Sequence, residues 1–273
     1  MSFMKRTDYY IRQTFTFKLF YHIFEQITDA FETIGNLLIR LAKVLKFVLR
    51  GQISLKHFME QSSRFAVDSL PITLTIVSMT SIILAVQTAP EMVKQGGGNY
   101  IGMLLTLITV RETGPVMTGF AIISMIGSAL ASETATMKVT DQVSAMQVLK
   151  VSPFKYLFVP RLLAGTAMMP LITVISSTIG IICGGMVTSL VCPDISGLNF
   201  ISSVKLGLFT RDIWIMLGKA ACFGLAIAHI STSCGYDAKG GAKSVGDATT
   251  KAVVWSFTAI VIIDCIFAFL FYF

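Results

Sequence analysis

Arg111 and Glu112 stand side by side in the middle of an apolar run that extends from about residue 101 to 131. If that run crosses a bilayer, each charge costs at least about 2.5–3.5 kcal/mol at membrane depth, so it must face a protein interior or an aqueous cavity. Neighbours on a helix point in directions about 100° apart and cannot neutralise each other along one face. At least one of the two therefore needs a partner on another segment. Two roles meet that need: an ion pair between helices that fixes their packing, or a polar patch beside a lipid pathway that meets a head group. Gln87, near the outer end of an earlier apolar run, is a second residue suited to such a patch.

The usual patterns of hydrolytic chemistry do not appear. His22, His57 and His229 form no H-E-x-x-H zinc site, and there is no G-x-S-x-G elbow. Lys239-Gly240-Gly241-Ala242-Lys243-Ser244 has an outward likeness to a phosphate-binding loop. That motif needs Gly directly before Lys-Ser and follows a strand, whereas here Ala242 precedes Lys243 between apolar runs. Cys183, Cys192, Cys222, Cys234 and Cys265 are odd in number and scattered, which fits neither a disulfide framework nor a zinc site. The expectation is a chain with no catalytic, nucleotide or metal site of its own. An intramembrane lipid enzyme would leave Glu112 without a nucleophile or metal. A channel or passive scaffold would leave the polar stretch 133–155 unused.

The elements that must position these residues are set by composition. The 273 residues are 54% apolar and 14% charged, where soluble domains carry about a quarter charged residues. A net charge of +7 would suit nucleic acid, but ten of the 22 Lys and Arg lie in residues 1–64, before the first long apolar run. Basic residues flanking a span mark the cytoplasmic side. The polar amino terminus carries no short apolar core with a cleavage site and no Ser- and Arg-rich transit pattern, so neither leader is expected.

Five apolar runs are long enough to span, at about 69–89, 101–131, 156–191, 213–233 and 252–273. Residues 1–68 form a cytoplasmic or interfacial segment ahead of a five-span domain at 69–273. Within it, Phe17, Phe20, Phe24, Ile27, Phe31, Ile34, Leu38, Leu41 and Leu45 recur at helical steps. Lys18, Glu25, Asp29, Glu32, Arg40, Lys43 and Lys46 lie between them. That pattern predicts an amphipathic helix lying in the membrane interface, or one packed on a soluble partner. Residues 132–155 turn polar and place Val139, Val143, Met146 and Lys150 on one face of a short helix ended by Pro153, either a cytoplasmic lever or a solvated linker. Gly180, Gly184 and Gly185 would let helices approach closely in the third run. The fold class is thus an all-α integral membrane protein: an interfacial helix, five transmembrane helices and a short cytoplasmic helix. Loop basic residues number 17 on the side of residues 1–68, 132–161 and 234–251 against three on the other. This predicts a cytoplasmic amino terminus and an extracytoplasmic carboxyl terminus.

Three blocks carry a more specific signal. The first is Arg111-Glu112-Thr113-Gly114-Pro115 with Gly127-Ser128-Ala129 and Ser132-Glu133-Thr134-Ala135. The second is Val139-Thr140-Asp141-Gln142 and Ala145-Met146, then Val151-Ser152-Pro153 and Pro160-Arg161-Leu162-Leu163-Ala164. The third is Gly235-Tyr236-Asp237-Ala238-Lys239-Gly240-Gly241-Ala242 through Val253-Val254. In order and spacing they resemble the MlaE/YrbE family, permeases of MCE-type ABC transporters that move lipids between bacterial membranes. The resemblance implies a bacterial inner-membrane permease that moves phospholipid-like lipids. It implies a homodimer or paired paralogues, a partner ABC ATPase dimer that binds ATP and Mg, and an MCE-domain ring protein. It further implies a lipid pocket at the dimer interface that Leu84, Gln87, Met92, Arg111 and Glu112 match. Contact with the ATPase would fall to Glu133, Thr140, Asp141, Gln142 and Met146. One departure stands out: the family usually has Arg two residues before the Gly-Ser-Ala block, where this chain has Met125.

Overall fold

The computed structural model describes residues 15–50, 54–193 and 195–272, with side chains over the same ranges except 15–27, 29 and 30. The described residues form helices α1 (Phe15–Leu49), α2 (Leu55–Lys94), α3 (Gly98–Val139), α4 (Gln142–Val148), α5 (Phe154–Val191), α6 (Gly197–Gly207), α7 (Thr210–Tyr236) and α8 (Ala242–Tyr272). No strand occurs among them. Helices α2, α3, α5, α7 and α8 are each long and apolar enough to cross a membrane, so the all-α, five-span expectation holds.

Several helices run past the apolar stretches that announce them. α2, α3 and α5 have 40, 42 and 38 residues. At about 1.5 Å per residue each is close to 60 Å long, about twice the hydrocarbon thickness, so their polar ends stand in water. α2 begins 14 residues before residue 69 and continues through Pro90 to Lys94. α3 continues through Glu133 to Val139, and the polar stretch thought to be one short helix is split there. Asp141 adopts the left-handed conformation (φ 58°) between α3 and α4, one of the few side chains that tolerates it. The loop between α7 and α8 is only residues 237–241, far shorter than the 234–251 expected. α6 lies in a stretch read as loop. It is capped by Ser196, whose hydroxyl accepts from the Asn199 amide at 3.3 Å, and it buries Phe200, Ser203 and Gly207.

Prolines shape three of the spans. Pro71, Pro115 and Pro160 each follow shortly after a π-helical turn, at Arg64–Asp68, Thr109–Thr113 and Phe154–Phe158. A proline ring crowds the carbonyl four residues back and offers no N–H, and a wider turn relieves that crowding. A fourth π-helical turn, Ile123–Gly127, has no proline after it within α3.

α5 runs through the bundle against α2 on one side and α7 on the other. The small-residue row of α5 permits the first contact. A Cβ on Gly180 would lie 2.7 Å from Ser81 Oγ, and one on Gly185 would lie 2.5 Å from the Phe200 ring of α6. The central core joins Phe65 of α2, Ile122 and Leu130 of α3, Met169 of α5, Phe223 of α7 and Ile260 of α8. α1 docks on the end of the bundle that carries α4. Val44 is fully buried against Val143, Leu157, Phe158 and Leu162, with Leu41, Phe47 and Val48 beside it. Arg40 Nη1 donates to Asp237 Oδ2 at 2.7 Å and to the Ser233 carbonyl at 3.0 Å, and His229 Nε2 lies 2.9 Å from the Leu37 carbonyl. Phe31, Ile34, Leu38 and Leu45 of the expected stripe are exposed. Leu41 is the stripe residue that packs on protein, together with Val44, Phe47 and Val48. The Phe17, Phe20, Phe24 and Ile27 part of the stripe lies outside the described side chains.

Candidate functional site

The partners that Arg111 and Glu112 require come from α7 and α8. Pro115 has no N–H to give the Arg111 carbonyl four residues earlier, and the Lys219 ammonium of α7 donates to that oxygen at 2.9 Å. The same ammonium lies 3.1 Å from Glu112 Oε2 and donates to it. It also sits 2.6 Å from Asp264 Oδ1 of α8, at an angle outside hydrogen-bond geometry, so this contact is ionic. Lys219 is wholly buried; it donates to one carboxylate and the carbonyl and lies in ionic contact with the second carboxylate. Arg111 turns the other way. Its Nε and Nη2 reach Asp212 Oδ2 at 2.9 and 2.8 Å, and its guanidinium lies 4.6 Å from the centroid of the Tyr272 ring.

Close packing holds this arrangement in place. A Cβ on Gly114 would lie 2.1 Å from Ser177 Oγ, so glycine alone lets α3 meet α5 beside the charged pair. Two cations and three carboxylates, linked through α3, α7 and α8, form one cluster between helices. Asp212 and Lys219 are buried, while the side chains of Glu112 and Arg111 keep 43% and 35% exposure. The cluster is therefore anchored inside the bundle and presents one carboxylate and one guanidinium outward. Sequence reasoning identified Arg111 and Glu112 but not their partners Lys219, Asp212 and Asp264. A Lys midway along an apolar run is itself a signal, because it too demands a partner.

The other residues proposed for a lipid pocket fall elsewhere. Leu84 and Met92 pack against Ala85, Ala89, Ile101, Leu105 and Phe200 in a separate apolar cluster. Gln87 is exposed on α2 and makes no hydrogen bond to Arg111 or Glu112 among the described residues. At the opposite end, Glu133 lies on α3 and not on the short helix. It bridges Arg64 of α2 and Arg161 of α5, accepting from Arg161 Nη2 at 3.1 Å, and Arg161 Nη1 donates to Thr134. Thr140, Asp141 and Gln142 are exposed at the junction of α3 and α4, and Met146 is half-buried. Val143, expected on one face of the short helix with Val139, Met146 and Lys150, is fully buried in this chain's own core. The apolar side chains that α4 and its end present outward are Val148 and Leu149.

Residues 58–270 match the family model described as Permease MlaE. The chain belongs to this family. A Synechocystis protein described as a probable ABC transporter permease is 35% identical over 239 residues, covering 88% of each chain. A Rickettsia typhi protein of the same description is 34% identical over 215 residues, 79% of this chain and 83% of its own. The chloroplastic protein TRIGALACTOSYLDIACYLGLYCEROL 1 of Arabidopsis thaliana is 32% identical over 230 residues, 84% of this chain and 65% of its own. The chain is thus an MlaE-family ABC transporter permease, a multi-pass membrane subunit of the kind that works with an ATPase partner. The α3–α7–α8 charge cluster lies within the matched region.

Proposed function

We propose that this permease moves phospholipid-like lipids between bacterial membranes, as a dimer driven by a separate pair of ATPase subunits and linked to an MCE-domain ring protein. The observation that carries the reading is the charge cluster that joins α3, α7 and α8 of an MlaE-family bundle. Glu112 and Arg111 keep part of their surface free, which leaves a carboxylate and a guanidinium able to meet a lipid head group. The name of the Arabidopsis relative contains a glycerolipid, which supports a lipid cargo. ATP and Mg are bound by the partner ATPase, and this chain transmits the motion. Thr140, Asp141, Gln142 and Met146 at the α3–α4 junction are the proposed contact, extended by the outward Val148 and Leu149. Glu133 acts behind them, tying α3 to α2 and α5.

The 17-to-3 distribution of loop basic residues supports an inner-membrane topology with α1 and α4 on the cytoplasmic side and the carboxyl terminus in the periplasm. The exposed Phe31, Ile34 and Leu38 of α1 suit the membrane interface. The test is reconstitution of the chain with its ATPase in proteoliposomes and measurement of ATP-dependent movement of a labelled phospholipid. Movement that requires ATP and falls on Glu112→Ala supports the reading. ATP turnover that is indifferent to lipid, with no movement, refutes it.

A further inference from the structure

α5 and α6 leave a groove of about 350 Å³ beside their contact, walled by Ile181, Ile182, Met186 and Ser189 of α5 and by Ile201 and Val204 of α6. The Phe200 ring, which Gly185 lets close on α5, lies within it. Ile182, Met186 and Ile201 are exposed, so the groove opens away from the bundle. Ser189 carries the one hydroxyl in the lining, and it is spent on the Gly185 carbonyl at 3.2 Å. An apolar recess of this kind holds no ordered water. α5 is long and apolar enough to cross a membrane, so hydrocarbon is the medium that meets the opening.

Size and charge select the occupant. A helix is about 10–12 Å across with its side chains and cannot sink beside a contact as close as that of Gly185 with Phe200, whereas an acyl chain can. The α5 wall runs from Ile181 to Ser189, roughly 12 Å at 1.5 Å per residue and close to half of a hydrocarbon core of about 30 Å. That is the reach of one chain in one leaflet. α6 crosses the bundle where α3 begins: Ser203 Oγ accepts from the Met103 amide at 2.9 Å, and a Cβ on Gly207 would lie 2.7 Å from the Met103 carbonyl. Lys205 stands on this part of α6, exposed and one turn beyond Ile201, on the same side of the helix. Three basic residues lie in the loops on this side of the bundle. Lys94 pairs with Glu91 at 2.8 Å and Arg211 donates to the Phe271 carbonyl at 2.6 Å. Lys205 makes no ion pair among the described residues, and α6 carries no acidic residue that could receive an ammonium.

We propose that this groove holds one acyl chain of an anionic phospholipid, whose phosphate rests on Lys205. The chain lies along Ile181, Met186 and Ile201, and the lysine stem reaches the head group at the end of the bundle. A zwitterionic lipid brings a positive group that finds no acid on α6, so the site favours a head group of net negative charge. None of the lining residues belongs to the α3–α7–α8 charge cluster, and occupancy needs neither ATP nor transfer. The inference therefore stands apart from the transport reading.

The test is photo-crosslinking of the purified complex in nanodiscs, without ATP, by phosphatidylglycerol or phosphatidylcholine carrying a diazirine on matched acyl chains. Peptide mass spectrometry then maps the label. The expected result is label within 181–189 and 197–204, about fivefold heavier from phosphatidylglycerol, the scale of one lysine at a membrane surface. Gly197 also lines the groove, and a Cβ there meets nothing within 4 Å. Gly197→Phe should therefore fill the recess without displacing a neighbour and remove the label from both lipids. Lys205→Gln, a change on exposed surface, should leave the label and abolish the preference. Equal labelling of the wild type by the two lipids, a preference that survives Lys205→Gln, or label that survives Gly197→Phe overturns the proposal. Label that appears on the isolated permease and disappears in the complex means that a partner's span occupies the groove, and the lipid assignment is wrong. A complex that moves lipid with ATP yet shows no preference here defeats this inference alone. One labelled as expected that moves nothing defeats the transport reading alone.

Discussion

Replacing Lys219 by Met tests the charge cluster where it is most vulnerable. The ammonium is wholly buried and serves Glu112 at 3.1 Å, Asp264 at 2.6 Å and the Arg111 carbonyl at 2.9 Å. Breaking a buried pair by removing one partner costs about 3–5 kcal/mol, because the other charge stays behind uncompensated. Here two carboxylates are left, but their side chains keep 43% and 24% exposure, so water offsets part of the loss. The orphaned carbonyl adds about 1–3 kcal/mol. We expect Lys219→Met to destabilise the folded permease by about 3–5 kcal/mol. Glu112→Gln leaves Lys219 paired with Asp264 and the carbonyl, and should cost only about 1 kcal/mol. The triple variant Lys219→Met, Glu112→Gln, Asp264→Asn removes every charge at this point and should recover most of the loss. Reversible unfolding in mixed detergent micelles measures all three. A cost for Lys219→Met no larger than that for Glu112→Gln, or a triple variant worse than the single one, would refute the cluster as the element joining α3, α7 and α8.

In a cysteine-free background, a thiol placed at Gly97 should react with an impermeant reagent added from outside and one at Lys243 should not; the reverse pattern sinks the orientation. The double substitution Asp141→Lys, Met146→Asp should still insert and dimerise but lose the ATPase on purification, and an ATPase retained with normal turnover removes this junction from coupling. Val148→Asp with Leu149→Asp, on the apolar surface that α4 presents, should weaken the same association. Arg40→Ala breaks the tie from α1 to Ser233 and Asp237 and should raise hydrogen exchange around Val44 without altering the spans; unchanged protection there would show that apolar packing alone docks the helix.

Hydropathy made the five spans legible because a bilayer demands about 20 apolar residues in succession. It concealed their ends, since Glu133 to Val139 and Leu55 to Ser69 continue the helices in water, where composition no longer reports on them. α6 was hidden for the opposite reason: its Ser196 cap and the Phe200, Ser203 and Gly207 spacing lie in a stretch too short to stand out. Arg111 and Glu112 declared a need for partners, yet one sequence cannot say which distant residue answers. Lys219 and Asp212 emerge only when α7 is placed against α3. Val143 shows a related limit, because helical spacing puts it on a face of α4 without saying whether that face meets a partner or the chain's own α1.

The most direct test of the central claim is native mass spectrometry of the complex purified through this chain from its native membrane. The account expects two permease copies with two ATPase subunits, an MCE-domain protein and bound phospholipid released on activation. A lone permease, carrying neither an ATP-binding subunit nor lipid under conditions that keep its five spans folded, would contradict it.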